Sequence, residues 1–138
     1  MTSDKQNSSR PIEDYGLIGN MISAALVSRG GSIDWLCLPR FDSDACFAAL
    51  LGEPENGRWL IAPRVADCRI TRRYLPDTAV LETRFETGTG TVTLTDFMPL
   101  TDDEEKVDVV RIVKGVKGKV EMAMELVLRF NYGRTVPW

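Results

Sequence analysis

Lys119-Val120-Glu121-Met122-Ala123-Met124-Glu125-Leu126-Val127-Leu128-Arg129-Phe130 alternates along its length. In an extended chain Val120, Met122, Met124, Leu126, Leu128 and Phe130 share one face, and Lys119, Glu121, Glu125 and Arg129 take the other. A period of two marks a half-buried β-strand, because successive side chains point to opposite sides of the sheet. The apolar face of this strand calls for an opposing layer.

The same period recurs upstream. From Thr91 to Met98, Val92 and Leu94 oppose Thr91, Thr93 and Thr95. Arg58–Ala62 and Cys68–Leu75 are further strand candidates. Glycines punctuate the runs: Gly30-Gly31 divides Ala24–Ser28 from Ile33–Cys37, and Gly88-Thr89-Gly90 divides Val80–Glu86 from Thr91–Phe97. Gly115-Val116-Lys117-Gly118 divides Val107–Lys114 from Lys119–Phe130. Each predicts a β-hairpin, since glycine supplies the positive φ that tight turns need. About eight short strands separated by turns predict an all-β chain, an antiparallel β-sandwich or barrel. Asp44 to Leu51, DACFAALL, breaks the pattern. Its apolar spacing at Cys46, Phe47, Leu50 and Leu51, with Asp42 or Ser43 as a cap and Gly52 as a stop, predicts one short helix near residues 44–51.

The 138 residues suffice for one domain, and 43% hydrophobic with 27% charged residues is ordinary for a globular chain. Met1 to Arg10 is polar, lacks the apolar stretch of a secretory signal, and reads as a disordered tail before a domain spanning 11–138. No apolar run approaches the ~20 residues of a membrane-spanning helix, so no membrane partner is expected. A net charge of −3, with Arg72-Arg73 the one basic doublet, argues against nucleic acid as a partner. There is no histidine, which removes Ser-His-Asp and Cys-His catalysis and every histidine-containing metal site. Cys37, Cys46 and Cys68 have no metal-ligand spacing and read as buried free thiols, which suits a cytoplasmic location. No metal and no cofactor are expected.

Hydrolysis by acid–base chemistry needs paired carboxylates. Asp102-Asp103-Glu104-Glu105 reads as a solvated loop. Asp42 and Asp96 each stand beside an aromatic residue, but a helix cap for Asp42 and a turn or backbone hydrogen bond for Asp96 are the plainer readings. The densest segment is Ile33-Asp34-Trp35-Leu36-Cys37-Leu38-Pro39-Arg40-Phe41-Asp42-Ser43, where a strand end brings aromatic, cationic and polar groups together.

Longer strings are more specific than any of these. Pro11-Ile12-Glu13-Asp14-Tyr15-Gly16-Leu17-Ile18-Gly19-Asn20, Ala24-Ala25-Leu26-Val27-Ser28, Gly31-Ser32-Ile33-Asp34-Trp35-Leu36-Cys37, Pro39-Arg40-Phe41-Asp42-Ser43 and Phe47-Ala48-Ala49-Leu50-Leu51-Gly52 follow one another in order. Together with Arg129-Phe130-Asn131-Tyr132-Gly133-Arg134 and Pro137-Trp138, they resemble the N-terminal domain of bacterial glycoside hydrolase family 15 proteins, the glucoamylase-like and trehalase-like enzymes. Gly30, Asp44 and Asn131 depart from the Asp, Pro and Asp common at those places. The resemblance implies a supersandwich-like β-sandwich, incomplete in this chain, packed against a C-terminal (α/α)6 barrel. Two glutamates of the barrel would be general acid and base in an inverting hydrolysis of an α-glucoside or trehalose. Neither has a counterpart here, so no catalytic residue is assigned and the chain alone is expected to be inactive. Trp35, Pro39, Arg40, Phe41, Asp42 and Ser43 are carried over as a candidate barrel interface or site rim. The partner is then the C-terminal catalytic barrel of the same polypeptide, and substrate binds only in the complete enzyme. The alternatives are an independent carbohydrate-binding module using Trp35, Trp59 or Trp138, and an inactive truncated fragment.

Overall fold

The computed structural model describes residues 12–37, 45–51, 57–102 and 107–129. Among these residues the chain forms a six-stranded and a four-stranded sheet, and the neighbouring strands in both run antiparallel. The first sheet holds β1 (Tyr15–Gly19), β2 (Ala24–Ser28), β3 (Ser32–Cys37), β5 (Arg58–Pro63) and β10 (Met122–Val127) in that order, with β4 (Ala45–Phe47) added to β3. The second runs β6 (Arg69–Tyr74), β7 (Leu81–Glu86), β8 (Gly90–Phe97) and β9 (Val110–Gly118). The expected all-β sandwich is present.

Alternation sets the inner faces. Ile18, Ala25 and Leu36 stand side by side across β1, β2 and β3, and all are buried. With Val27, Ile33 and Phe47 they pack against Leu81 and Met98 of the second layer. A second cluster joins Ile61 to Phe85, Val92 and Leu94. Each such large side chain contributes roughly 1.5–3 kcal/mol by leaving water.

Two expectations are corrected. The helix near residues 44–51 is absent: Ala45, Cys46 and Phe47 form β4, paired to β3 through Leu36 and Phe47, and only a 3-10 turn follows at Ala49–Leu51. Both Ala48 and Ala49 donate their backbone N–H to the Gly57 carbonyl, at 3.0 and 2.9 Å. A stretch this short has little helical stability of its own, so strand pairing and burial decide its shape. Nor does Gly115–Gly118 make a hairpin. β9 runs on to Gly118, whose φ of 64° turns the chain, and the following strand crosses to the other sheet to pair with β5. A Cβ on Gly118 would lie 2.2 Å from the Thr89 carbonyl oxygen, so the turn depends on glycine. The hairpins at Gly30-Gly31 and Gly88–Gly90 form as expected. The tail expected at Met1 to Arg10 lies outside the described residues.

The long sides of the sandwich differ. Where β1 faces β6, the Tyr74 hydroxyl accepts from the Leu17 N–H and donates to the Leu17 carbonyl, both at 2.9 Å. Arg29 donates to the Ile70 carbonyl at 2.6 Å, and Arg72 to the Val27 carbonyl at 3.2 Å. Where β9 faces β10 the layers gape: Met124 and Leu126 share the inward face with their partners Ile61 and Trp59, yet are 66% and 49% exposed.

Candidate functional site

Three places in the sandwich hold chemistry worth weighing. The first is the buried pair Asp96–Arg111. Asp96 extends the inward series Val92, Leu94 of β8, and Arg111 stands opposite it on β9. Both side chains are 0% exposed, and Arg111 Nε donates to Asp96 Oδ1 at 2.7 Å. The guanidinium also crosses to the first sheet. Its Nη1 donates to the Trp59 carbonyl at 2.5 Å and its Nη2 to the Gly31 carbonyl at 2.8 Å. The Trp59 ring lies 5.1 Å from the guanidinium carbon, a cation–π contact. Gly31 makes the close approach possible: its φ is +92°, and a Cβ there would sit 2.2 Å from the Ile61 carbonyl oxygen. Burial pushes the Asp96 carboxyl above its ordinary value, while the bond and charge of Arg111 pull it back. An acid held this way joins two layers; it does not face a substrate.

The second is a cleft of about 240 Å³ at the gaping side, lined by Leu36, Cys46, Phe47, Trp59, Leu126 and Leu128, with Val107 and Val109. Its walls are apolar. Trp59 Nε1 is buried without a hydrogen-bond partner. Burial pushes the Cys46 thiol up to about 11, so it is a packing thiol and a poor nucleophile at neutral pH.

The third is the outward face of the first sheet. A bulge in the β2–β3 register turns Asp34 and Trp35 to that side. Tyr15 reaches across β2 to donate to Asp34 Oδ2 at 2.5 Å, and the Ser32 hydroxyl donates to Asp34 Oδ1. Beside this network Leu17, Leu26 and Trp35 form a row across β1, β2 and β3. Trp35 also packs on the small buried cluster of Cys37, Ala45 and Ala48.

Of the residues singled out from sequence, Trp35 therefore lies on an outer sheet face, half-buried. Pro39, Arg40, Phe41, Asp42 and Ser43 lie outside the described residues, as does Trp138, so the proposed cluster around Trp35 is not on view. Trp59 lines the inter-sheet cleft and not an open platform for a sugar. Asp96 is not in a turn; its ion pair was missed. Continuing the Val92–Leu94 alternation by one step would have placed it in the core, and a buried carboxylate calls for a cation. Among the described residues no group of three His, Cys, Asp or Glu side chains could hold a metal ion. No helix of the described residues is long and apolar enough to cross a membrane, which leaves β-barrels aside.

A family profile described as trehalase-like, N-terminal, matches residues 5–136. The chain belongs to this trehalase-like N-terminal family. Among curated proteins it is similar to a trehalase of Mycolicibacterium smegmatis, 32% identical over 90% of this chain and 21% of that protein. A trehalase of Thermoplasma volcanium is 36% identical over 91% of this chain and 21% of its own length. One of Mycobacterium tuberculosis is 30% identical over 96% and 22%. The trehalase-like N-terminal domain thus spans about one-fifth of the length of the curated relatives it matches. No solved structure matches it.

Proposed function

We propose that this trehalase-like N-terminal domain is the non-catalytic front part of a glycoside hydrolase of family 15 type. In this reading it is joined in one polypeptide to a C-terminal (α/α)6 barrel that carries the two catalytic glutamates. The barrel hydrolyses trehalose or a related α-glucoside with inversion, and the sandwich packs against it and borders its cleft. Trp35 with Pro39, Arg40, Phe41, Asp42 and Ser43 forms part of that contact. Further strands of the same polypeptide cover the side where β9 faces β10. The observation that carries the reading is the match in extent: nearly the whole chain aligns, yet with only about one-fifth of each trehalase. The exposed inward side chains Met124 and Leu126 support it, because a sandwich with all its strands covers such positions. Free thiols at Cys37, Cys46 and Cys68 support a reducing, cytoplasmic compartment.

Glucose release from trehalose is the test. The purified 138-residue chain is expected to release none, and the longer polypeptide that contains it is expected to turn over trehalose. Hydrolysis of trehalose, maltose or starch by the short chain alone would overturn the proposal.

A further inference from the structure

The basic doublet Arg72-Arg73 sends its two side chains to different places. Arg73 pairs with Glu82 of β7 at 2.9 Å. Arg72 turns to the seam where β1 and β2 meet β6, and its Nη1 donates to the Val27 carbonyl at 3.2 Å. Arg29, just past the end of β2, crosses the same seam the other way, and its Nη2 donates to the Ile70 carbonyl at 2.6 Å. Val27 and Arg29 are two residues apart in the chain, as are Ile70 and Arg72. Each arginine thus reaches the strand that carries the other, and the two guanidinium groups come to lie beside one another. Gly16 lies beneath the crossing: a Cβ there would meet Leu81 Cδ2 at 2.8 Å and Arg72 Nη1 at 3.5 Å.

Two like charges held together repel, and the protein does not offset them. Arg58, Arg64, Arg73, Arg84 and Arg111 each pair with a carboxylate. Arg29 and Arg72 pair with none among the described residues. Burial, and after it the Arg29 charge, push the Arg72 guanidinium below its ordinary value, while Tyr74 and Asp14 pull the other way. A neutral donor would stitch this seam without that repulsion, as the Tyr74 hydroxyl does on the Leu17 backbone. A guanidinium carries five N–H donors, and each of these two uses one on a backbone carbonyl. Arg29 is exposed and Arg72 half-buried, so the pair is open to water.

A phosphate group carries a charge of about −1.5 to −2 near neutral pH and has three acceptor oxygens or more. It therefore matches two adjacent guanidinium groups in charge, and each planar fork can take two of its oxygens at once. A carboxylate would neutralise one of the two. We propose that Arg29 and Arg72 form a binding site for a phosphate group, either the free ion or one esterified to a sugar, on the seam between β2 and β6. The bound anion removes the repulsion and ties the two sheets together at the side where Arg29 and Arg72 cross. The site uses residues of this chain alone and does not depend on the functional reading above.

Isothermal titration of the 138-residue chain with sodium phosphate, against sodium chloride of equal ionic strength, is the test, with glucose-6-phosphate as a second titrant. One phosphate per chain is expected to bind with a dissociation constant of about 1 mM or below. Arg29→Gln, at an exposed position, is expected to weaken binding about tenfold or more, the scale of a lost charge-assisted hydrogen bond. Arg72→Gln is expected to weaken it at least as much. Arg29→Lys keeps the charge and loses the fork, and is expected to fall between Arg29→Gln and the parent. Arg84→Gln, elsewhere on the second sheet, is expected to leave binding unchanged. Tighter binding of glucose-6-phosphate assigns the site to a phosphorylated sugar, and tighter binding of phosphate assigns it to the free ion. Heats no larger than those of sodium chloride for both titrants would overturn the proposal. So would binding that survives Arg29→Gln, or that falls equally in Arg84→Gln. Circular dichroism checks that Arg72→Gln folds; if it does not, Arg29→Gln decides.

Discussion

The two long sides of the sandwich solve one problem by different means. Where β1 meets β6, three side chains reach from one layer to backbone groups of the other: Tyr74 to Leu17, Arg29 to Ile70 and Arg72 to Val27. These bonds are exposed or partly buried, and each replaces a bond to water, so each is worth only about 0.5–1.5 kcal/mol. On the other side Arg111 of β9 gathers Asp96 of β8, the Trp59 carbonyl of β5 and the Gly31 carbonyl in a site closed to water. Beyond it the layers part around an apolar cleft. The first side is stitched by small, replaceable contacts. The second is held by one strong device with unfilled space beside it.

The comparison can be broken first at Arg111. Arg111→Met or Asp96→Leu alone strands a buried charge and is expected to cost about 3–5 kcal/mol, a large part of a domain's ~5–15 kcal/mol. The double replacement removes both charges and is expected to recover most of that loss. Urea midpoints of the three variants measure it. Single variants that melt with the parent would show that the pair does not hold the layers.

Next comes the gaping side. The 138-residue chain is expected to self-associate through Met124, Leu126 and the outer edges of β9 and β10, which pair with no further strand among the described residues, because uncovered apolar surface and unpaired strand edges template association. Met124→Lys is expected to shift it toward monomer with a stability change within about 0.5 kcal/mol. Sedimentation velocity decides. A parent chain that is already a monodisperse monomer with a sharp, high melting transition would mean that the side is closed in solution.

The smallest effect belongs to the stitched side. Tyr74→Phe removes one hydroxyl and is expected to cost about 1 kcal/mol while the other two contacts hold. The Leu17 amide, left without its partner, is expected to exchange its hydrogen faster than the amides of β2. Unchanged exchange at Leu17 would show that the hydroxyl does not cap this edge.

Local pattern made most of the strands legible, and failed where a partner distant in the chain decides. Alternation in Thr91–Met98 and the glycines near residues 31 and 88–90 place β7, β8 and their turn closely. Residues 44–51 misled because their helical preference is weak beside pairing with Leu36 and Cys37 of β3. The Gly115–Gly118 turn misled because glycine reports a turn and not which sheet the next strand joins. In Lys119–Phe130 the alternation names the correct inward face for Val120, Met122, Met124, Leu126 and Leu128, with Phe130 outside the described residues, but periodicity says which side wants cover and not whether cover is present. At the candidate site, Trp35 was found from composition. The row it makes with Leu17 and Leu26 could not be, since it needs the β1–β2–β3 register, including a bulge between Leu26 and Val27.

Arg111 bonds a carbonyl 80 positions earlier in the chain. During synthesis at about 5–20 residues per second, Gly31 leaves the ribosome roughly 4–16 s before its partner. Throughout that interval the inward faces of β1, β2 and β3 exist without the strand that locks the second layer over them, and Ile18, Val27 and Ile33 are open to other nascent chains. A silent codon change that slows translation between Trp59 and Arg111 would lengthen this exposure without altering a single atom of the finished protein.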